Sequence, residues 1–176
     1  VGGCNSLDKV AGNRIGNDIN KYLISFLKEL QKENFSFPFV GEEEYIKIKN
    51  NKNQYPDWLV GYVGFQLSFG AKWFAGYRRD KKGIRNYQKE AHQNIKIQRP
   101  LLRNVVFYHG NYWEFPIPEY SIIYCDPPYA RATKYRDNFN HDFFWNWCEK
   151  MKSKGHSVFV SEYSAPKNWK CVWEKT

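Results

Sequence analysis

Asp126-Pro127-Pro128-Tyr129 follows directly on the apolar run Ile122-Ile123-Tyr124-Cys125. Two consecutive prolines hold φ near one value and offer carbonyls without N–H groups, so this loop presents acceptors rigidly. A carboxylate and the neighbouring Pro127 carbonyl can together accept both hydrogens of an exocyclic amino group, while Pro128 stiffens the turn and Tyr129 stacks on the ring that bears the amine. In open α/β sheets, ligands bind outside the carboxyl ends of strands. The combination describes a pocket for an aromatic amine. Near the start of the chain, Val1-Gly2-Gly3 reads as a strand running into a glycine turn, and Arg14 to Asn17 as a second short strand that closes on Asp18. An acid at such a strand end takes two hydrogen bonds from a ribose diol in nucleotide-binding folds. The competing readings are an ordinary glycine turn and a simple capping acid ahead of Asn20.

The elements that must position these groups follow from periodicity. Asn20 caps a helix from Lys21 to about Glu33, with Tyr22, Leu23, Phe26, Leu27 and Leu30 on one face. Glu42 to about Asn50 reads as a short polar helix. Trp58 to Gly76 holds four glycines among aromatics, which suits tight turns and close backbone approach more than a regular element. Ile84 to about Gln98 reads as a basic helix ended by Pro100. Val105 to Tyr108, Ser121 to Cys125 and Ser157 to Ser161 are short apolar strands, and between the last two Asp142 to Lys152 is helical, with Phe144, Trp147, Cys148 and Met151 inward. Continuous apolar strands separated by helices indicate a parallel sheet covered on both faces, the α/β doubly wound class.

The chain has 176 residues, 27 Lys plus Arg against 18 Asp plus Glu, and a net charge of +9. With 42% apolar residues it can bury about 70% of its unfolded surface, which excludes disorder as its dominant state. No apolar run reaches the ~18 residues that cross a bilayer, so no membrane partner is expected. The cysteines at 4, 125, 148 and 171 lie far apart without a C-x-x-C pair, which disfavours structural zinc and suits reduced thiols in a cytosolic protein. Between Ala71 and Arg103 there are ten lysines and arginines against two acids. A single-sign segment interleaved with Trp73, Phe74, Tyr77 and Tyr87 matches the electrostatic footprint of a nucleic-acid surface, with Lys72, Arg78, Arg79, Lys81, Lys82 and Arg85 as first candidates for contacts. Its bland alternative is a solvated basic patch.

Asp126 to Tyr129 resembles the signature of amino-group methyltransferases that use S-adenosylmethionine. Val1-Gly2-Gly3-Cys4-Asn5 is similar to the trailing half of their cofactor-binding glycine motif, and Gly16-Asn17-Asp18-Ile19-Asn20 to the second-strand segment whose acid binds the cofactor ribose. Gly64-Phe65, Ser68-Phe69-Gly70, Lys72-Trp73-Phe74 and Gly76-Tyr77 resemble the target-recognition lobe of Dam-like adenine-N6 DNA methyltransferases. Gly155 to Tyr163, with Val172-Trp173-Glu174, resembles the tail of prophage-type members. The resemblance implies a Rossmann-like methyltransferase sheet with an inserted, largely helical recognition lobe. Residues 1–34 and 104–176 would form the α/β domain and 35–103 the lobe. It implies S-adenosylmethionine held by Gly2, Gly3, Cys4, Asp18, Ile19, Asn111, Tyr112 and Asp126. It further implies methylation of adenine flipped out of duplex DNA by Asp126, Pro127, Pro128 and Tyr129, with Tyr129→Phe tolerated because stacking needs only the ring. A monomer in the cytoplasm of a bacterial or phage-infected cell, without a metal, completes the expectation.

Two departures qualify that implication. The family commonly has an acid where Asn111 stands, and it has a further N-terminal segment bearing a lysine motif ahead of the glycine strand, so Val1 is read as an internal start and activity of the shortened chain is open. Other substrates of the same chemistry remain alternatives: cytosine N4, RNA adenine, or a protein glutamine amide, for which such enzymes usually carry Asn in place of Asp126. A non-catalytic DNA-binding module on the same fold is the alternative from another class.

Overall fold

The computed structural model describes residues 6–80, 83–130 and 139–174. Among these, five α-helices and four short strands form a mixed α/β protein in two compact units, Val1–Phe115 and Pro116–Thr176. The strands make two parallel pairs. In the first unit β1 (Arg14–Asp18) pairs with β2 (Val105–His109) in the register Gly16↔Phe107, and in the second β3 (Ile122–Cys125) pairs with β4 (Ser157–Val160) in the register Cys125↔Val160. Parallel pairing is thus present, as two small sheets; no Rossmann-like sheet of seven strands is seen among the described residues.

The first unit is built around α1 (Lys21–Leu30). Asn20 has extended backbone, and its side chain accepts the N–H groups of Tyr22 and Leu23 at 3.0 and 3.1 Å, which satisfies two of the donors a helix start leaves open. Leu23, Ile24, Phe26, Leu27 and Leu30 are buried. They meet Val105 and Phe107 of β2, Tyr45 and Ile48 of α2 (Glu42–Asn50), and Val60 and Val63 of α3 (Asp57–Gln66) in one core. Residues on both sides of position 35 therefore share it.

α3 corrects the irregular segment expected after Trp58. Its glycines do serve close approach, but they do so from within a helix: a Cβ on Gly61 would lie 2.0 Å from the Tyr22 carbonyl oxygen, and one on Gly64 would lie 2.3 Å from the Trp73 ring. The helix costs about 1 kcal/mol per glycine in propensity, and packing overrides it. α4 (Tyr87–Leu102) is the second correction, starting three residues later than Ile84 and running through Pro100 to a fully buried Leu102. Tertiary bonds hold its end in place. Arg99 Nε donates to the Leu30 carbonyl at 2.7 Å and its Nη2 to those of Lys32 and Glu33, while Gln31 Nε2 donates to Leu102 O at 2.8 Å.

In the second unit, α5 (His141–Ser153) crosses between β3 and β4. Asn140 caps it through the Phe143 N–H at 2.9 Å, and Phe144, Trp147, Cys148 and Met151 are buried as the periodicity requires. Gly155, at φ +90°, makes the turn into β4, a conformation that favours glycine. No described helix is long and apolar enough to cross a membrane.

Candidate functional site

The carboxyl ends of the two parallel pairs gather the chemistry-bearing residues, one group in each unit. In the second unit β3 delivers Asp126, Pro127, Pro128 and Tyr129, and β4 delivers Ser161, Glu162 and Tyr163 beside them. Asp126 is exposed, while Pro127, Pro128 and Tyr129 are half-buried. The ladder extends one residue past the strands, with Ser161 N–H donating to Cys125 O at 2.9 Å. Tyr129 Oη and Ser161 Oγ are hydrogen-bonded at 2.8 Å. Glu162 accepts the Ala130 N–H through Oε2 at 3.2 Å and the Tyr163 N–H through Oε1 at 2.7 Å. The Tyr163 ring stands edge-on to Tyr129 with centroids 5.0 Å apart.

Electrostatics tie Tyr129 to Asp126. The Ser161 hydrogen bond draws the Tyr129 hydroxyl downward, but partial burial and the Asp126 carboxylate, with Tyr124 beyond it, outweigh that and hold its pKa above the ordinary tyrosine value. In the same unit Cys148 is fully buried, and the neighbouring Cys125 thiol together with burial pushes its own thiol well up. Cys125, Cys148 and Cys171 are all free thiols.

In the first unit the ends of β1 and β2 are stitched across. Asn17 Nδ2 donates to Gly110 O at 3.1 Å, Gly110 N–H donates to Asp18 O at 3.1 Å, and His109 Nε2 donates to Ile19 O at 3.2 Å. Asp18 Oδ1 accepts the Asn20 N–H at 2.8 Å, so the acid does take the local turn-forming bond that a capping role requires. Beside it, Ile19 is 68% exposed. Asn111 Nδ2 donates to Glu114 at 3.1 Å, and Tyr112 meets Trp113 edge-on at 4.9 Å. Asp18, Ile19, Asn111 and Tyr112 therefore cluster at one strand end; Gly2, Gly3 and Cys4 lie outside the described residues.

The basic stretch divides by what each residue already touches. Trp73 is half-buried against Gly64 and stacked on Tyr22 with centroids 5.5 Å apart. Tyr77 Oη donates to Val40 O at 3.1 Å. Both rings pack against the core of the first unit. Arg79 pairs with Glu42 at 3.3 Å, and Arg85 grips Glu90 through two bonds of 2.9 and 2.8 Å, which hold the Glu90 carboxyl below its ordinary range. Arg78 and Arg85 both lie over the Tyr87 ring, at 4.3 and 4.8 Å. Lys72 is exposed; Lys81 and Lys82 lie outside the described residues.

Ser161, Glu162, Glu114 and His109 carried no assigned role in the sequence reading. The parallel register could have found the first two, because the exit of the paired strand always lies beside the Asp126 loop. No group of three or more metal-ligating side chains occurs among the described residues. Compared with known proteins, the chain matches no family model, and no curated protein matches it.

Proposed function

We propose that the protein is an S-adenosylmethionine-dependent methyltransferase acting on the exocyclic amino group of adenine in duplex DNA, with a Rossmann-like arrangement as its fold. The observation that supports this best is the Asp126 loop itself: an exposed carboxylate and a proline carbonyl at the carboxyl end of a parallel strand, followed by a tyrosine whose hydroxyl and adjoining peptide are both held. The first unit offers groups that fit the cofactor. Asp18 is a carboxylate for a ribose diol, Ile19 an apolar face for a purine, and Asn111, whose amide donates to Glu114, an acceptor oxygen for the purine's amino group.

S-adenosylmethionine, when bound, would supply an electrophilic methyl group. Asp126 and the Pro127 carbonyl would accept hydrogen bonds from the two amine N–H groups, which favours a pyramidal nitrogen with its lone pair turned away from both acceptors, and the proton released on methylation would pass to the exposed Asp126 carboxylate and on to water. Positioning and electrostatics carry this reaction, and no strong base is required before attack. Tyr129 stacks on the flipped base and offsets part of the few kcal/mol of unstacking.

The test incubates the full chain with methyl-labelled cofactor and unmethylated duplex DNA, followed by nucleoside digestion. Methyladenine is expected, reduced on the order of 10²-fold or more by Asp126→Ala with cofactor binding retained. Label on protein or on cytosine, or none at all, rejects the reading.

A further inference from the structure

We propose that Ser161 and Glu162, which leave the end of β4, are positioning residues that fix the Asp126–Tyr129 loop: Ser161 pins the tyrosine hydroxyl, and Glu162 holds the peptide that follows it. In its kinetic half this rests on the methyltransferase reading. The parallel register sets Cys125 beside Val160, and the Ser161 N–H bond to Cys125 O continues the ladder, so the backbone at 161 is as fixed as the sheet. Its Oγ lies 2.8 Å from Tyr129 Oη. Glu162 spans two loops, one oxygen on the Ala130 N–H and the other on the Tyr163 N–H. Tyr163, 72% exposed itself, stands against the Tyr129 ring. Tyr129 is therefore held at its hydroxyl, along one ring edge and at the next peptide.

One consequence reverses the sequence expectation for Tyr129→Phe. That variant keeps the stacking ring but loses the bond that fixes the position of its far end, and it also removes the hydroxyl neighbouring Asp126. Misplacement of this kind slows the chemical step and leaves cofactor affinity alone.

The experiment compares the full chain with Ser161→Ala, Ser161→Thr and Tyr129→Phe in two measurements. The first is steady-state methyl transfer to DNA. Ser161→Ala and Tyr129→Phe should lower kcat by about tenfold with KM for S-adenosylmethionine within about twofold, and Ser161→Thr, which keeps the hydroxyl, should restore kcat. The second is the ionisation of Tyr129, followed by NMR on ring-labelled tyrosine and assigned by the signal that Tyr129→Phe removes. Ser161→Ala should shift that titration to higher pH, because the bond that draws it down is gone, and Ser161→Thr should leave it in place. An unmoved Tyr129 titration in Ser161→Ala, or an unchanged kcat, overturns the proposal. If the wild-type chain methylates nothing, the methyltransferase reading fails, while the titration still decides whether Ser161 pins Tyr129.

Discussion

Gly61→Ala sets two effects of known size against each other. In an α-helix interior the change gains about 1 kcal/mol of propensity, so α3 taken alone would be stabilised. Against α1 the same methyl would lie 2.0 Å from the Tyr22 carbonyl oxygen, 2.7 Å from its carbon and 2.9 Å from Phe26 Cβ. Two of those three atoms are backbone and cannot rotate away. Relief requires the helices to separate by roughly 1 Å, and gaps of that size forfeit a quarter to a half of the dispersion energy along the lining. Leu23, Phe26, Val60 and Val63 share that lining. Overpacking of this severity costs about 3 kcal/mol, the upper end of its usual range, and leaves a net loss of about 2 kcal/mol after the propensity gain. For a unit of roughly 100 residues that lowers Tm by on the order of 10 °C. Thermal unfolding followed by circular dichroism measures it directly. Gly41→Ala is the control, since nothing lies within 4 Å of its Cβ position, and it should change stability by about 1 kcal/mol or less. A Tm for Gly61→Ala equal to or above wild type would mean the helices do not approach at this residue, and the argument for glycine in α3 would fall.

Asn20→Ala removes the acceptor for the Tyr22 and Leu23 N–H groups and should cost about 1 kcal/mol in denaturant unfolding, with faster amide exchange confined to the first turn of α1. His92 accepts from or donates to Tyr62 Oη at 2.6 Å and stacks on Phe37; burial, with Lys96 adding to it, holds its pKa below the ordinary value. The native state therefore favours the neutral ring. Its contribution is present above about pH 6.5 and is lost as pH falls through the depressed folded value, so wild type should lose stability on acidification below about pH 6.5 that His92→Gln does not lose. If the basic stretch binds duplex DNA through phosphates, replacing exposed Lys72 and Lys89 by Gln should reduce the slope of log affinity against log salt by about 1.8. Arg99→Gln should instead lower stability and leave the slope unchanged, because its guanidinium is bound to the carbonyls that end α1.

Local signals sufficed wherever a cap, a period and an apolar face agreed. Asn20 ahead of the Leu23 to Leu30 face was legible for that reason, and the Phe144 to Met151 face was legible from its period, whereas the Asn140 cap ahead of it emerged only in the structure. α3 was not legible, because its glycines are explained by the Tyr22 carbonyl and the Trp73 ring, partners separated from them in sequence. Pro100 misled in the same way: the bonds that carry α4 past it come from Leu30, Gln31 and Lys32. The candidate site was legible along the chain and illegible across it. Asp126 and Tyr129 stand out by type and spacing, whereas Ser161 and Glu162 acquire meaning only through a parallel register that places one strand exit beside another.

The basic stretch carries the same lesson into function. As a sequence it is a run of one sign, and every lysine and arginine in it counts equally toward a nucleic-acid surface. The structure separates them by what they hold. Arg99 closes α1, Arg85 answers Glu90, Arg79 answers Glu42, and Trp73 and Tyr77 pack against the core of the first unit. A phosphate contact by Arg79 or Arg85 must first release a carboxylate at half-exposed pairs worth about 0–1 kcal/mol each, a small barrier beside counterion release. Arg99 faces a different exchange, since leaving the Leu30 and Glu33 carbonyls strips acceptors at a helix end. If the proposed binding to DNA holds, it can draw on Lys72, Arg78, Arg79 and Arg85 without unfolding anything, and the +9 of the chain would overstate the contact surface by the charges the fold keeps for itself.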